Sequence, residues 1–207
     1  MCFYFGLPSE RPKLSKRFQR VIANEALFTP SEKYNGFAHP LNAIIAQDTQ
    51  DLITHAYWGL LPTWAHEKSY AKNTLNARIE TLDQLPSFRP YLENRCLIPA
   101  AYFFDWRHEG KNKIPYQIFS QENELFSFAG LYNDWQHPDS KEIMRTYTII
   151  TTEANDTMKY VHNTKNRMPV ILHEKDENAW LNGDSFEKYA FPYSVSLLAL
   201  EVKNRAV

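Results

Sequence analysis

The chain has 207 residues, of which 43% are hydrophobic and 23% are charged, and its formal net charge at pH 7 is −1. These values are typical of a soluble globular protein, and the length fits a single domain that spans residues 1–207. A protein that binds long duplex DNA without sequence preference usually carries an excess of basic residues, so we expect any contact with nucleic acid to lie in a local groove or pocket.

Short apolar runs bounded by Pro, Gly or Asn recur along the chain, and their β-branched and aromatic content predicts strands. The predicted elements follow in chain order: a helix at 14–22, strands at 42–47 and 51–60, a helix at 87–95, strands at 95–104, 115–120, 125–132 and 145–152, a helix at 154–162, a strand at 167–172, a helix at 174–182 and a strand at 194–203. Strands dominate and do not alternate regularly with helices. We therefore predict an α+β fold with a mixed, curled or barrel-like β-sheet and flanking helices.

The chain contains two cysteines, Cys2 and Cys96, and neither belongs to a CxxC motif or a His/Cys cluster. This pattern argues against a disulfide framework and against a structural zinc site. The N-terminus lacks the basic and apolar segments of a signal peptide, and no run of about 18 apolar residues predicts a membrane span. We therefore expect an intracellular protein in which Cys2 is a reduced thiol and Cys96, within an apolar segment, is buried.

Cys2 directly follows the initiator methionine. A small residue at this position generally allows the methionine to be removed, which leaves an α-amine and a thiol on the same residue. The neutral amine adds to an aldehyde to form an imine, and the neighbouring thiol then closes a five-membered thiazolidine ring at high effective molarity. The alternative interpretation is a cysteine without a function on a frayed terminus.

Three pairs of internal segments accompany the initial Met-Cys. They are WGLLPTWA at 58–65 with NARIET at 76–81, RCLIPAAYFFDW at 95–106 with FAGLYNDW at 128–135, and TIITTEAN at 148–155 with VHNTKNRMPVIL at 161–172. This ordered set resembles the SRAP family, the SOS-response-associated peptidases or abasic-site-processing proteins. The matching segments extend from Cys2 to beyond Leu172, which covers most of the chain.

The resemblance implies an SRAP-like fold and a sensor of abasic sites in single-stranded DNA during the DNA damage response. An abasic deoxyribose opens to an aldehyde, which the N-terminal cysteine of family members captures as a thiazolidine crosslink that shields the lesion. The resemblance also implies a self-processing peptidase, weak strand cleavage through the imine, and a cytoplasmic, nucleoid-associated location. We expect a monomer whose partner is abasic single-stranded DNA, with no metal, no organic cofactor and no membrane.

Four residues match the family's catalytic positions, namely Cys2, Asn76, Asp105 and His162. An amide such as Asn76 can hold the substrate sugar or the N-terminus by donating and accepting hydrogen bonds. Asp105 stands where the family usually has glutamate and can orient the α-amine and accept its proton. Because aspartate is one methylene shorter, the backbone must lie closer or a water must bridge. His162 can protonate the sugar ring oxygen during opening, or transfer protons during imine formation.

The predicted DNA contacts are Arg78, Arg167, Pro40 and Trp64. Arg78 lies in the family's Asn-Ala-Arg motif and Arg167 in its Arg-Met-Pro motif, and a guanidinium binds phosphate oxygens bidentately. Pro40, Trp64 and also Trp58 are predicted to stack on bases, or to wedge between them, beside the lesion. Core packing is the alternative interpretation for each tryptophan.

Two departures from the family pattern concern the binding of DNA. Extra residues separate the histidine from Arg-Met-Pro in HNTKNRMP. In addition, Phe3 and Tyr4 stand where family N-termini usually read Gly-Arg, so that one phosphate contact is lost. The basic segment RPKLSKRFQR, through Arg11, Lys13 or Arg17, is a candidate replacement. The alternative for this segment is a solvated helix face.

Two other functions remain open at this point. A cysteine or N-terminal-nucleophile peptidase would use Cys2 with His162, because a Cys–His pair generates a thiolate by proton transfer. A non-catalytic single-strand-binding protein would bind equally well without Cys2. The electrophile separates these functions, since a sensor of abasic sites forms an adduct with DNA and none with peptides, whereas a peptidase does the reverse.

Overall fold

The computed structural model describes residues 2–203. Within this range there are fourteen β-strands and three α-helices. The strands are β1 (Tyr4–Leu7), β2 (Val21–Ile22), β3 (Ser31–Asn35), β4 (Leu41–Ala46), β5 (Leu52–Trp58), β6 (Asn76–Arg78), β7 (Arg95–Ala100), β8 (Tyr102–Glu109), β9 (Asn112–Ser120), β10 (Phe126–Gln136), β11 (Ile143–Glu153), β12 (Arg167–Pro169), β13 (Ile171–Leu172) and β14 (Leu197–Glu201). The helices are α1 (Arg11–Phe18), α2 (Asp156–Val161) and α3 (Glu177–Leu181). Met1, whose removal is predicted above, lies outside the described residues.

Five strands form a closed, mixed barrel in the order β11, β10, β7, β4 and β5. Neighbours in this order are antiparallel, and β10 and β11 pair from Gly130 opposite Ile149 to Gln136 opposite Ile143. The barrel closes where β5 pairs with β11 in parallel. The short strands β12, β6, β13 and β2 add to its edges. The predicted α+β fold with a barrel-like mixed sheet is confirmed.

The second sheet has the order β14, β9, β8, β1 and β3. The first strand of the chain is therefore an internal strand, because β1 pairs antiparallel with both β8 and β3. Its register sets Tyr4 opposite Phe104 on one side and opposite Asn35 on the other. This pairing brings the start of β1, and with it Cys2, to the part of β8 that carries Asp105.

Aromatic side chains join the barrel to the second sheet. Phe5 of β1 is fully buried, and its ring centroid lies 5.2 Å from that of Trp58 and 5.7 Å from that of Phe128. Burial of such a side chain stabilises the fold by about 1.5–3 kcal/mol. Gly130 allows β10 to approach its neighbours, since a Cβ atom there would lie 2.4 Å from Ile98 Cδ1 and 2.6 Å from the Thr148 carbonyl oxygen. The core thus fixes β1 against the barrel.

The predicted helix at 14–22 was placed too late along the chain. Helix α1 ends at Phe18 because Gln19 adopts a left-handed conformation with φ 54°, and the following Val21–Ile22 pairs with β5. The helix predicted at 87–95 is wrong. Only a 3₁₀ turn forms there, at Arg89–Tyr91, because the chain already enters strand β7 at Arg95.

The strand predicted at 95–104 is in fact two strands, β7 and β8, that belong to different sheets. The break falls at Ala101, whose backbone N–H donates to the Gly6 carbonyl oxygen at 2.9 Å. The helices predicted at 154–162 and 174–182 correspond to α2 and α3, both shorter than predicted. Over the described part of the chain, no helix has the length and apolar character needed to cross a membrane.

Candidate active site

Cys2 lies two residues before the start of β1 and is fully buried. Asn76 Nδ2 donates a hydrogen bond to the Cys2 carbonyl oxygen at 2.9 Å, and the Cys2 thiol points to the Tyr4 carbonyl oxygen at 3.8 Å. Asn76 is positioned by β6, which pairs in parallel with β11. Among residues 2–203, the buried Oδ1 of Asn76 accepts no hydrogen bond. Asn76 therefore holds the terminal segment and presents a buried acceptor beside it.

Asp105 and His162 form the second part of the site, and both are buried. Asp105 Oδ1 accepts a hydrogen bond from the Trp106 backbone N–H at 2.8 Å, and Asp105 Oδ2 lies 3.8 Å from His162 Nδ1. His162 follows the last residue of α2, and its backbone N–H donates to the Met158 carbonyl oxygen at 2.7 Å. The helix end and β8 thus bring a carboxylate and an imidazole together across the site.

Hydrogen bonds with the backbone of Arg167 orient the imidazole ring of His162. Its Nδ1 lies 2.9 Å from the Arg167 carbonyl oxygen, an atom that can only accept. The same Nδ1 lies 3.3 Å from the Arg167 backbone nitrogen, so both backbone polar groups of Arg167 orient the ring. Burial lowers the pKa of His162, and the negative charge of Asp105 opposes this effect. The imidazole is thus neutral near pH 7.

Burial also strongly raises the pKa of the Cys2 thiol, and the charge of Asp105 acts in the same direction. A buried thiol with a raised pKa holds very little thiolate near neutral pH. Cys96 is likewise buried with a raised pKa, as its apolar surroundings predicted. Neither thiol is therefore activated as a thiolate in this arrangement.

A cavity of about 490 Å³ opens beside Asp105 and His162. Phe3, Tyr4 and Trp106 form part of its lining, and the rings of Tyr4 and Trp106 pack edge to face with centroids 5.3 Å apart. This volume lies within the range typical of pockets for small ligands. The cavity can accept a small molecule or part of a polymer next to the carboxylate and the imidazole.

The two arginines predicted to contact DNA have different environments. Arg78, at the end of β6, is exposed. Arg167 is buried, and its guanidinium donates to both carboxylate oxygens of Glu80 at 2.7 and 2.9 Å and to the Thr151 carbonyl oxygen at 2.8 Å. A DNA contact by Arg167 remains a prediction, and the guanidinium is already engaged by a carboxylate.

The residues predicted to stack on bases also differ. Trp64 is 47% exposed and packs edge to face on Tyr70 with ring centroids 4.8 Å apart. Pro40 is partly exposed, and its carbonyl oxygen accepts from the Trp58 backbone N–H at 3.0 Å. The stacking role considered for Trp58 is wrong, because the side chain is fully buried and Nε1 donates to the Leu75 carbonyl oxygen at 2.9 Å. Core packing explains that tryptophan.

The basic segment at 11–20 does not reach the cavity. In the structure, each of the three candidate replacements for the missing family arginine pairs with a glutamate. Arg11 lies 3.1 Å from Glu25, Lys13 pairs with Glu124, and the Arg17 guanidinium makes two bonds of 3.1 and 2.9 Å to Glu177. These cations therefore hold α1 against the rest of the chain.

Two lysines that the sequence did not single out line the cavity, namely Lys113 of β9 and Lys165 of the turn after α2. The extra residues between the histidine and Arg-Met-Pro were a signal for Lys165, since an insertion beside a catalytic candidate changes the wall of the site. Among residues 2–203, no cluster of three or more His, Cys, Asp or Glu side chains is arranged to hold a metal ion.

The sequence model of the family described as SOS response associated peptidase (SRAP) matches residues 1–205. The chain belongs to the SRAP family. This SRAP protein is 37% identical over 193 residues to "Abasic site processing protein YoqW" of Bacillus subtilis, with 88% of this chain and 80% of YoqW covered. It is 30% identical over 162 residues to "Abasic site processing protein HMCES" of Gallus gallus, with 66% of this chain and 47% of HMCES covered.

Solved structures agree with the fold of this SRAP protein. A crystal structure of a protein from Bacteroides thetaiotaomicron is 34% identical and superimposes with a TM-score of 0.89, covering 98% of this chain and 93% of the other. A crystal structure of a protein from Bordetella bronchiseptica has a TM-score of 0.82 at 22% identity and covers 98% of this chain and all of the other (100%), which supports the fold alone.

Proposed function

We propose that this protein processes abasic sites in single-stranded DNA by capturing them covalently through Cys2, after Met1 has been removed. The observation that carries the proposal is the position of Cys2, which Asn76 holds by a 2.9 Å hydrogen bond in the site formed with Asp105 and His162. The names of the relatives, which call them abasic site processing proteins, support the same role.

The proposed reaction joins Cys2 to the aldehyde carbon C1′ of the ring-opened sugar. The α-amine adds to this carbon, and loss of one water molecule gives the imine. The Cys2 thiol then adds across the C=N bond, with sulfur bonding to C1′ and the proton passing to nitrogen, which closes the thiazolidine. The balance is one aminothiol and one aldehyde in, one thiazolidine and one water out.

The neighbouring side chains would serve the proton transfers of this reaction. His162, whose imidazole is neutral near pH 7, can accept a proton from the α-amine and return one to the leaving water. Asp105 stabilises the imidazolium that forms, because its carboxylate lies 3.8 Å from Nδ1. The buried Oδ1 of Asn76 can accept a hydrogen bond from the amine or from a sugar hydroxyl.

The remaining features of the proposal concern DNA and processing. Arg78 and Arg167 would contact phosphates, and Pro40 and Trp64 would contact bases beside the lesion. The same imine allows slow β-elimination, which gives weak lyase activity. Hydrolysis of the bond between Met1 and Cys2 within the protein would be the self-processing peptidase activity. The protein would act as a monomer in the cytoplasm, on DNA of the nucleoid, and would shield the lesion.

A peptidase that acts on other peptides through a Cys2 thiolate is the second candidate, and the site favours it less. Such an enzyme needs a thiolate–imidazolium pair, which requires a lowered thiol pKa and a raised imidazole pKa. Burial instead raises the pKa of the Cys2 thiol and lowers the pKa of the His162 imidazole. Attack by the amine first, with the thiol closing the ring afterwards, does not need a preformed thiolate.

The test uses methionine-trimmed protein and uracil-containing single-stranded DNA treated with uracil-DNA glycosylase. We expect a heat-resistant band of lower mobility on a denaturing gel, and an intact mass equal to protein plus DNA minus one water. Cys2→Ala and Cys2→Ser should each abolish the heat-resistant adduct and leave only an imine that borohydride can trap, and retention of Met1 should block capture.

The controls separate the two candidates. A peptide library incubated with the trimmed protein should remain uncleaved, and untreated DNA of the same sequence should give no adduct. Cleavage of peptides together with no mass increase at Cys2 would establish the peptidase and refute covalent capture. Full DNA binding by Cys2→Ala with no covalent band from the wild type would instead identify a non-catalytic binder.

A further inference from the structure

The cavity beside Asp105 and His162 has a cationic side that the proposed chemistry does not use. Lys113 and Lys165 line it, and both residues are exposed. Within residues 2–203, neither ammonium group takes part in an ion pair or a hydrogen bond. Lys13 and Arg17, in contrast, are each paired with a glutamate. The two lysines thus place uncompensated positive charge at the opening next to the proposed reaction centre.

Lys165 is held in place by the turn that carries it. Asn163 exchanges two hydrogen bonds with the backbone of His108 in β8, donating at 2.9 Å and accepting at 3.0 Å. The turn closes where the Asn166 backbone N–H donates to the His162 carbonyl oxygen at 3.0 Å, with Asn166 at φ 49°. Hence the segment 163–166, although exposed, is fastened to the strand that carries Asp105.

The charge of Lys165 reaches the reaction centre. The pKa of His162 is lowered chiefly by burial, and the positive charge of Lys165 contributes in the same direction. Since Lys165 and His162 line the same cavity, an anion bound at Lys165 would lie close to the imidazole. Since every nucleotide of a DNA strand carries one phosphate, an abasic sugar at His162 brings two phosphates near the cavity.

We propose that the cavity is a subsite for a phosphate group that flanks the abasic sugar, and that Lys113 and Lys165 bind this phosphate. The proposal rests on the proposed function, because it names how the same site holds its substrate. The lysines are binding residues that align the sugar aldehyde with Cys2. They contribute affinity that depends on salt, and they take no part in the bonds that form or break.

The experiment measures binding without the chemistry. Single-stranded DNA with one tetrahydrofuran residue, an abasic analogue that has no aldehyde, is titrated with wild-type protein and with Lys113→Gln/Lys165→Gln at several salt concentrations. We expect the slope of log affinity against log salt to become less steep by about 0.7 for each phosphate contact that is lost. The matched control is Lys111→Gln/Lys175→Gln, which removes two exposed charges that do not line the cavity and should keep the wild-type slope.

Replacing one flanking phosphate at a time by an uncharged linkage shows which phosphate the two lysines bind. Replacing the phosphate on one side of the tetrahydrofuran residue by methylphosphonate should weaken wild-type binding and leave the Lys113→Gln/Lys165→Gln variant unaffected, because the contacts belong to one pair. The proposal would be overturned if either linkage weakened the binding of wild type and variant equally. It would also be overturned if the salt slope of Lys113→Gln/Lys165→Gln equalled that of the control variant. Formation of the adduct with true abasic DNA is measured in parallel. Its absence in wild type, with the lysine dependence intact, would refute covalent capture alone.

Discussion

Replacing Asn76 by alanine should slow covalent capture without destabilising the fold. The side chain makes one hydrogen bond, from Nδ2 to the Cys2 carbonyl oxygen at 2.9 Å, and its Oδ1 is buried without a donor partner among residues 2–203. Loss of the bond leaves the carbonyl oxygen of the buried Cys2 without this donor, which costs about 1–3 kcal/mol of stability, while removal of the buried Oδ1 relieves a penalty of similar size. The two effects nearly cancel in the free energy of unfolding.

The effects on the reaction do not cancel. When the amine attacks, positive charge develops on its nitrogen, and Oδ1 then gains a partner. A hydrogen bond to a charged group contributes about 1.5–3 kcal/mol, which corresponds to a change in rate of about 10- to 150-fold. Asn76→Ala should therefore form the adduct more slowly by this factor, with a free energy of unfolding within about 1 kcal/mol of wild type.

The assay follows adduct formation at saturating abasic DNA on denaturing gels, together with unfolding in urea. Asn133→Ala is the matched control, because Asn133 Nδ2 also donates to a backbone carbonyl oxygen, that of Leu61, at 2.7 Å, in the barrel. This control should lose about 1 kcal/mol of stability and keep the wild-type rate. An Asn76→Ala protein that reacts as fast as wild type, or that loses several kcal/mol, would show that the reasoning about Oδ1 is incorrect.

Three further predictions concern pH, an ion pair and an exposed tryptophan. Burial lowers the native pKa of His162 below its ordinary 6.5, so as pH falls the unfolded state binds the proton first. The stability that the neutral His162 contributes is therefore complete above about pH 6.5 and is lost as pH falls through the native pKa. His162→Asn should flatten the profile of stability against pH, measured by urea unfolding between pH 7 and 5, and an unchanged profile would contradict this. Arg167→Met should lower the free energy of unfolding by about 1–3 kcal/mol, and Glu80→Gln should lower it by less, because water reaches the Glu80 carboxylate. Equal losses of stability in urea unfolding would contradict the argument that the burial of Arg167 makes its loss more costly. Trp64→Ala should weaken binding of single-stranded DNA by about 1–3 kcal/mol in fluorescence anisotropy with little change in thermal stability, and full affinity would exclude Trp64 from the DNA interface.

The strand-rich pattern of the sequence was sufficient to predict the fold class, but not the path of the chain. The run RCLIPAAYFF is continuous and apolar, so nothing in it marks the break at Ala101 between the barrel and the second sheet. The strands β1, β3 and β6 were missed because they are only three to five residues long and pair with segments far away in the sequence. Local patterns carry no information about such partners.

The types of residue in the site could be predicted, and their partners could not. The positions of Asp105 and His162 in the family's motifs predict both residues as catalytic, and only the fold shows that they lie 3.8 Å apart. Arg167 and Glu80 form a bidentate ion pair across distant parts of the chain, which changes the environment of an arginine that the motif predicts as a DNA contact. The position of Lys165 likewise depends on the turn that follows α2.

The internal position of β1 determines the order of events during synthesis of the protein. The strand pairs with residues up to Phe104, so it cannot fold into its sheet until roughly a hundred further residues have left the ribosome. At about 5–20 residues per second, this takes roughly 5–20 s. During that interval the bond between Met1 and Cys2 belongs to a nascent chain in which β1 has not yet paired with β8, and it is accessible to processing enzymes. Under the proposed function, the α-amine of Cys2 is therefore freed by removal of Met1 before the fold encloses it.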